Sequence, residues 1–287
     1  MQQIPPGAAA TTTTITQLNA EERKTPTGHS GKILTTKFSP NGQVLASGSS
    51  DCMVKLWSVA TGALLRTLLG HQDQIRSIVF SPNSQILASG SDDGIAKLWE
   101  VTGAFRHTLE GHCYEIITMT FSPDGKMLAA RSECGLVKVW DTAGVRKHTL
   151  EGDYVAISTM EFSPDGRLLA LAPMNGSVNI WDTASGTLVE SLTLHRWVTE
   201  MKFSLYNACL ETDQGSSDIQ SQYKNTRPVT ALANRKRVSI DGDWVLLDGA
   251  KLLWLPSEYR PKSWDSIHCI VALGLASGEV SFMEFRP

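Results

Sequence analysis

Tryptophan returns along this chain on a fixed ruler. Trp57, Trp99, Trp140 and Trp181 stand 42, 41 and 41 residues apart, and Phe38, Phe80, Phe121, Phe162 and Phe203 repeat at 42, 41, 41 and 41. Two unrelated residue types keeping one period mark an internal repeat, in which each unit buries its apolar surface only by stacking on its neighbours. Between the rulers recur a Gly-His step (Gly28-His29, Gly70-His71, Gly111-His112) and a Ser-Pro turn (Ser39 to Gly42, Ser122 to Gly125, Ser163 to Gly166).

Within one unit, Lys32 to Phe38 and Val54 to Trp57 are short, apolar or β-branched, and bounded by turn residues, so each unit reads as four antiparallel strands and the chain as all-β. In Ser-Pro-Asn-Gly the proline presets φ near −65° and the glycine accepts positive φ, which lets the chain reverse tightly. Ser84 replaces that glycine in the second unit. A serine held there at positive φ is expected to cost about 1 kcal/mol.

These stretches resemble the WD-repeat family, from His29 to Asp182. The resemblance implies a β-propeller with four strands to a blade. It also implies a hydrogen-bonded tie in each blade, made by a histidine, a strand serine or threonine, a turn aspartate and the tryptophan. The matching residues are His29, Ser47, Asp51 and Trp57, then His71, Ser89, Asp93 and Trp99. The third unit keeps His112 and Trp140 but has Ala130 and Cys134 at the other places, and the fourth has Asp153, Leu171 and Asn175 beside Trp181. Losing some partners strands the polar groups that remain, so His112 is the exposed point of the scheme.

The tie also explains away an enzyme reading. His29, Ser47 and Asp51 have the residue types of an acyl-transfer triad, but the same spacing recurs at His71, Ser89 and Asp93, and a nucleophilic site is built once. The three histidines lie one per unit and form no zinc spacing, and neither a phosphate-loop nor a dinucleotide fingerprint is present. No enzymatic activity, cofactor, metal or small-molecule substrate is expected. With 26 Lys and Arg against 29 Asp and Glu, no global field favours nucleic acid. There is neither a signal-like start nor a run of 18 apolar residues, so no membrane association is expected. Five cysteines without a C-x-x-C pair suit reduced thiols in the cytosol or nucleus.

Residues 1–27 read as an N-terminal tail and 28–287 as the propeller, regular over 28–192 and degenerate over 193–287. Thr199 to Phe203 begins a fifth blade with Leu194-His195 in the Gly-His place, while Tyr206 to Arg227 is polar and irregular. Trp244 to Leu247, Lys251 to Leu255, Ile270 to Gly274 and Val280 to Phe285 are further strands, with Met283 in the tryptophan column. The room after residue 195 suits two blades and an insertion, which favours about six blades while leaving seven open. Thr11 to Leu18 is expected to supply the outer strand that closes the last blade, or to be a tail, since Glu21 to Pro26 interrupts the run. The end of the chain, with Leu210 to Asp213, Leu253 to Pro256, Tyr259 to Pro261 and Ala272 to Phe285, resembles the WD-repeat end of fungal NACHT-type (NOD-like) receptors, whose repeats are taken to sense ligands. Only 28 residues precede His29, so a stand-alone sensor, a truncated relative and a fragment all fit.

Two functions follow: a non-catalytic protein–protein interaction scaffold, including the sensing arm of such a receptor, or a constitutive subunit or adaptor of an assembly in ubiquitin transfer or RNA processing. The partners are other proteins. A binding face should vary where the architecture repeats. Six residues before each phenylalanine stand Lys32, Gln74, Glu115, Ala156 and Trp197; four before stand Leu34, Arg76, Ile117, Ser158 and Thr199. Lys32, Gln74, Arg76, Tyr114, Glu115 and Trp197 are the candidate partner-binding residues, Trp197 being either an interface anchor or a core residue filling the fifth blade.

Overall fold

A computed structural model describes residues 20–24, 28–151, 157–194, 196–204, 209–213, 215–219, 238–241, 244–247, 250–255, 257, 260–267 and 270–285. Seven antiparallel sheets are present among them, five of four strands and two of three. The first blade is Ile33–Phe38, Val44–Ser49, Val54–Ser58 and Leu64–Leu68, in sequence order from inside to outside. The next three repeat it at Ile75–Leu109, Ile116–Leu150 and Ile157–Thr193. The fifth has Met201–Phe203, Cys209–Thr212 and Gly215–Asp218, and the sixth Val238–Asp241, Trp244–Leu247 and Ala250–Trp254. The seven sheets among the described residues match the larger of the two blade counts that the sequence left open.

The seventh blade joins the two ends of the chain. Its strands Ser263–Ile267, Ile270–Gly274 and Val280–Phe285 are completed on the outside by Ala20–Lys24, which pairs antiparallel with the last strand from Ala20 opposite Phe285 to Lys24 opposite Ser281. This corrects the sequence expectation: the closing strand falls within the segment taken as an interruption, and Thr11 to Leu18 lie outside the described residues. A strand flanked by a partner on only one side needs backbone pairing more than apolar alternation, so a charged stretch such as Ala-Glu-Glu-Arg-Lys serves at an outer edge.

The core is a set of packed seams between blades. Ile86, Ala88 and Leu98 of the second blade pack with Ile116, Met119 and Phe121 of the third, and equivalent clusters join the first to the second, the third to the fourth and the fourth to the fifth. Ile33, Leu45 and Trp57 meet Ala272, Val280 and Phe282 across the junction of the first and seventh blades. Trp57 and Trp140 are fully buried. At about 25 cal/mol per Å² and roughly 200 Å² per ring, each contributes about 5 kcal/mol before entropic costs. The seams leave little room: a Cβ on Gly90 would stand 2.5 Å from the Ile116 side chain. In the third blade Arg131 occupies the corresponding place, buried, and its guanidinium donates to the Ile157 carbonyl of the fourth blade.

Ser84 has φ of 60°, as its place in the turn demands. Its hydroxyl is used: Oγ accepts the backbone N–H of Asn41 in the first blade at 3.1 Å. Cys52, at φ 68°, is a second non-glycine in this region and one that sequence reading passed over; the second blade has Gly94 there.

Candidate partner-binding face

In the first blade the Trp57 indole N–H donates to Ser47 Oγ at 2.8 Å. The Asp51 carboxylate can only accept and so holds the ring proton of neutral His29 on Nδ1, and the serine hydroxyl donates to Nε2, also at 2.8 Å. That nitrogen is then unprotonated, and Nδ1–H donates to the Asp51 carboxylate at 3.0 Å. The same carboxylate accepts the backbone N–H groups of Ser30 and Met53 at 3.0 and 3.1 Å. The second blade repeats this chain with Trp99, Ser89, His71 and Asp93 at 2.9, 2.8 and 2.9 Å. Both histidines are held neutral, burial lowering their pKa against the pull of the aspartate. His29, Ser47 and Asp51 therefore form a buried relay ending on a loop-holding carboxylate, with the serine hydroxyl committed at both of its roles.

The third and fourth blades lack the relay. His112 is buried beside Trp140, ring centroids 5.6 Å apart, with neither nitrogen in a hydrogen bond of ordinary geometry. Burial, then the Lys138 ammonium, lowers its pKa to about 4 against a smaller pull from the Ala130 carbonyl. Trp181 Nε1 is likewise buried without a partner, since Leu171 stands where the serine would accept. Asp153 lies outside the described residues.

The relay carboxylates anchor one face of the molecule, built from the loop leading into each blade and the turn between its second and third strands. The two are tied across blades: Leu194 N–H donates to the Gly176 carbonyl at 2.7 Å, and the space beside Gly94 is closed by the His112 and Tyr114 carbonyls. The candidate residues sit on this face. Lys32 and Arg76 are exposed, Gln74 and Glu115 half-buried. Gln74 and Arg76 converge on Asp92, whose carboxylate accepts from Gln74 Nε2 at 2.8 Å and from Arg76 Nε at 2.8 and 3.0 Å. Beside them the Glu133 carboxyl, hydrogen-bonded to that of Glu115, is pushed up by that bond and by the Glu115 charge. Trp197 is 60% exposed, so of its two readings the core one is excluded. Tyr114 is exposed at 55%. Met174, on the turn held against the Leu194 to Trp197 loop, is 50% exposed and was missed in the sequence, together with Asp92 and Glu133. The signal was available, because Ser50, Asp92, Glu133 and Met174 form a column that varies from blade to blade as the leading-loop columns do. Ala156 and His195 lie outside the described residues.

Comparison with known proteins places this geometry. The family model of the IFT122 first beta-propeller matches residues 7–234. The chain belongs to that family. Shorter stretches of this propeller are similar to WD-repeat proteins: 48% identity over 48 residues to eukaryotic translation initiation factor 3 subunit I of Aspergillus niger, 52% over 40 to Protein Mut11 of Chlamydomonas reinhardtii, and 46% over 41 to a ribosome biogenesis protein BOP1 homolog of Dictyostelium discoideum. These stretches are 17%, 14% and 14% of the propeller chain and span only 14%, 11% and 5% of those proteins, about one repeat in each case. As a WD-repeat propeller the chain is of a kind that works as an interaction scaffold within protein complexes. Among the described residues no group of three or more His, Cys, Asp or Glu is placed to hold a metal ion, and no helix is long and apolar enough to cross a membrane.

Proposed function

We propose that this propeller is a non-catalytic subunit of a multiprotein assembly, acting in the cytoplasm and recruiting a protein partner through the face that carries Tyr114, Met174 and Trp197. The observation that carries the reading is the exposure of these three large apolar side chains, between 50% and 60%, along successive leading loops and turns of the third to fifth blades. Isolated apolar residues on a surface are ordinary, whereas an aromatic pair and a methionine on one varying face have the composition of an interface core. The Asp92, Glu115 and Glu133 carboxylates beside them supply a polar rim. Assembly membership draws support from the relatives, one of which is named as a subunit of an initiation factor.

The test is the triple variant Tyr114→Ala, Met174→Ala, Trp197→Ala, with affinity capture from native extract and mass spectrometry. An unchanged melting transition with loss of a constant, stoichiometric set of partners is expected. Full retention of every partner by the folded variant would remove this face. The finer reading of the propeller as the sensing arm of a NACHT-type receptor draws on the resemblance of its C-terminal stretch alone, and the same capture separates the two, since a sensor's partners come and go with stimulus.

A further inference from the structure

We propose that Cys113 and Cys134 form an oxidisable thiol pair, a site at which a peroxide joins the loop leading into the third blade to the turn beside it through a disulfide. The inference goes beyond the interaction reading and stands on the third blade's missing relay.

The leading loops of the first three blades are placed alike. Ser50 N–H donates to the Lys32 carbonyl at 2.9 Å, Asp92 N–H to Gln74 at 3.0 Å, and Glu133 N–H to Glu115 at 2.9 Å. Lys55 Nζ donates to the Gly28 carbonyl, and Lys138 Nζ to the Gly111 carbonyl. In the first blade this placement sets Ser30 directly over Asp51, its backbone nitrogen 3.0 Å and its hydroxyl 3.4 Å from Oδ2. In the second it sets the Gln72 nitrogen 2.9 Å from Asp93. Cys113 and Cys134 occupy these two places in the third blade, so the loop and the turn that meet through a hydroxyl and a carboxylate in the first blade carry one thiol each here. The aspartate oxygen lies one bond beyond the position of a cysteine sulfur, so the two thiols must turn toward each other to form the S–S bond of about 2.0 Å, which needs Cα atoms roughly 4.4–6.8 Å apart.

Three observations point to reactivity. Both thiols are exposed, and Cys134 Sγ is 3.3 Å from Ser132 Oγ. His112, over nine-tenths buried and without a partner on either nitrogen, holds the place at which His29 and His71 donate from Nδ1 to their aspartates. The Lys138 ammonium is held at the same leading loop by its bond to the Gly111 carbonyl. At Cys52, burial and then the carboxylates of Asp73, Asp51 and Asp93 push the thiol up, which suppresses thiolate chemistry there.

The reaction balances with hydrogen peroxide alone. One thiolate attacks a peroxide oxygen, the O–O bond breaks, and sulfenic acid and water form once the leaving hydroxide takes up a proton. The second thiolate then attacks the sulfenic sulfur, making the S–S bond and releasing a second water. Two thiols lose two electrons to one peroxide. Closure fixes Tyr114 and Glu115 relative to Glu133, all on the face described above.

The experiment treats the reduced full-length protein with stoichiometric hydrogen peroxide, quenches with N-ethylmaleimide and maps every cysteine by mass spectrometry. A peptide linked through Cys113 and Cys134, two thiols lost per chain, an unmodified Cys52 and a melting midpoint raised by several degrees and restored by dithiothreitol are expected. In Cys113→Ser, Cys134 should stop at a sulfenic acid trapped by dimedone, with no rise in the midpoint. Sulfinic acid on either cysteine of the wild type without the linked peptide, or linkage only between two molecules, would overturn the proposal, and neither result depends on the variant folding.

Discussion

The first two blades and the next two solve one packing problem with different means. All four bury the same tryptophan column and the same alternation of strand residues, yet only the first two complete the polar relay from indole to carboxylate. In the third the histidine remains without its serine and aspartate, and in the fourth the indole nitrogen remains without its acceptor. The difference teaches that apolar seams suffice to hold a blade in place, and that a backbone bond such as Glu133 N–H to the Glu115 carbonyl places the third blade's leading loop without the relay. Burial of a tryptophan contributes several kcal/mol, whereas a net hydrogen bond contributes about 1 kcal/mol, so a blade survives loss of the second but not of the first.

The sharpest way to separate the two pairs of blades is acid. His112 has a folded pKa of about 4 against 6.5 when unfolded, so the unfolded chain binds the proton first. A depressed histidine pKa contributes stability that is present above 6.5 and is lost as pH falls toward 4. The loss reaches about 3 kcal/mol at pH 4, from roughly 1.4 kcal/mol per unit. Replacing His112 by phenylalanine removes a stranded imidazole, and it should flatten that decline while leaving stability at pH 7 within about 1 kcal/mol of the wild type. Urea unfolding at pH 7, 5.5 and 4 measures both, and an equally steep decline in the variant would assign the acid sensitivity elsewhere, to the relays of His29 and His71.

Breaking a complete relay should cost somewhat less. Asp93→Ala leaves His71 Nδ1–H and the backbone N–H groups of Gln72 and Ile95 without their acceptor. A loss of about 2 kcal/mol is expected, read as a fall of about 4–8 °C in melting midpoint for a domain of this size. The matched change in the third blade, Cys134→Ala, removes no such acceptor from His112 and should shift the midpoint by a degree or two at most. Equal effects at the two positions would show that the relay adds nothing beyond the seams.

What could be read in advance follows the same division. The period, the strands of the first four blades and the members of each relay were legible because one physical unit is written four times, and a residue that recurs at a fixed place declares a shared structural task. Ser263–Ile267 and Val238–Asp241 were not, since each lacks the flanking Gly-His and Ser-Pro signals, and their strand identity comes from the neighbours they pair with. Ala20–Lys24 was misread because a closing edge strand is fixed by backbone bonds to Val280–Phe285, at a separation no local pattern records. Of the candidate face, the leading-loop column is visible in the sequence, whereas the turn column with Asp92, Glu133 and Met174 shares no residue type and gains its meaning from the loop packed against it. That Arg76 is held by Asp92 is a contact between two loops that only the fold brings together.

The smallest effect tests whether one blade repairs its own local defect through the next. Ser84 sits at φ 60°, where its counterparts in the first, third and fourth blades are Gly42, Gly125 and Gly166. Ser84→Gly relieves about 1 kcal/mol of backbone strain. It also removes the hydroxyl that accepts the Asn41 N–H across the seam, a bond worth about 1 kcal/mol when the donor is partly buried, and it loosens the unfolded chain by a further few tenths. The terms oppose each other, so a net change within about 0.5 kcal/mol is expected. Ser84→Ala separates them: it keeps the strain, loses the hydroxyl, and should cost about 1 kcal/mol. Thermal unfolding of the two variants side by side decides the matter. A glycine variant more stable by a full 1 kcal/mol would mean that the Ser84 to Asn41 bond carries nothing and that the serine is simply tolerated there.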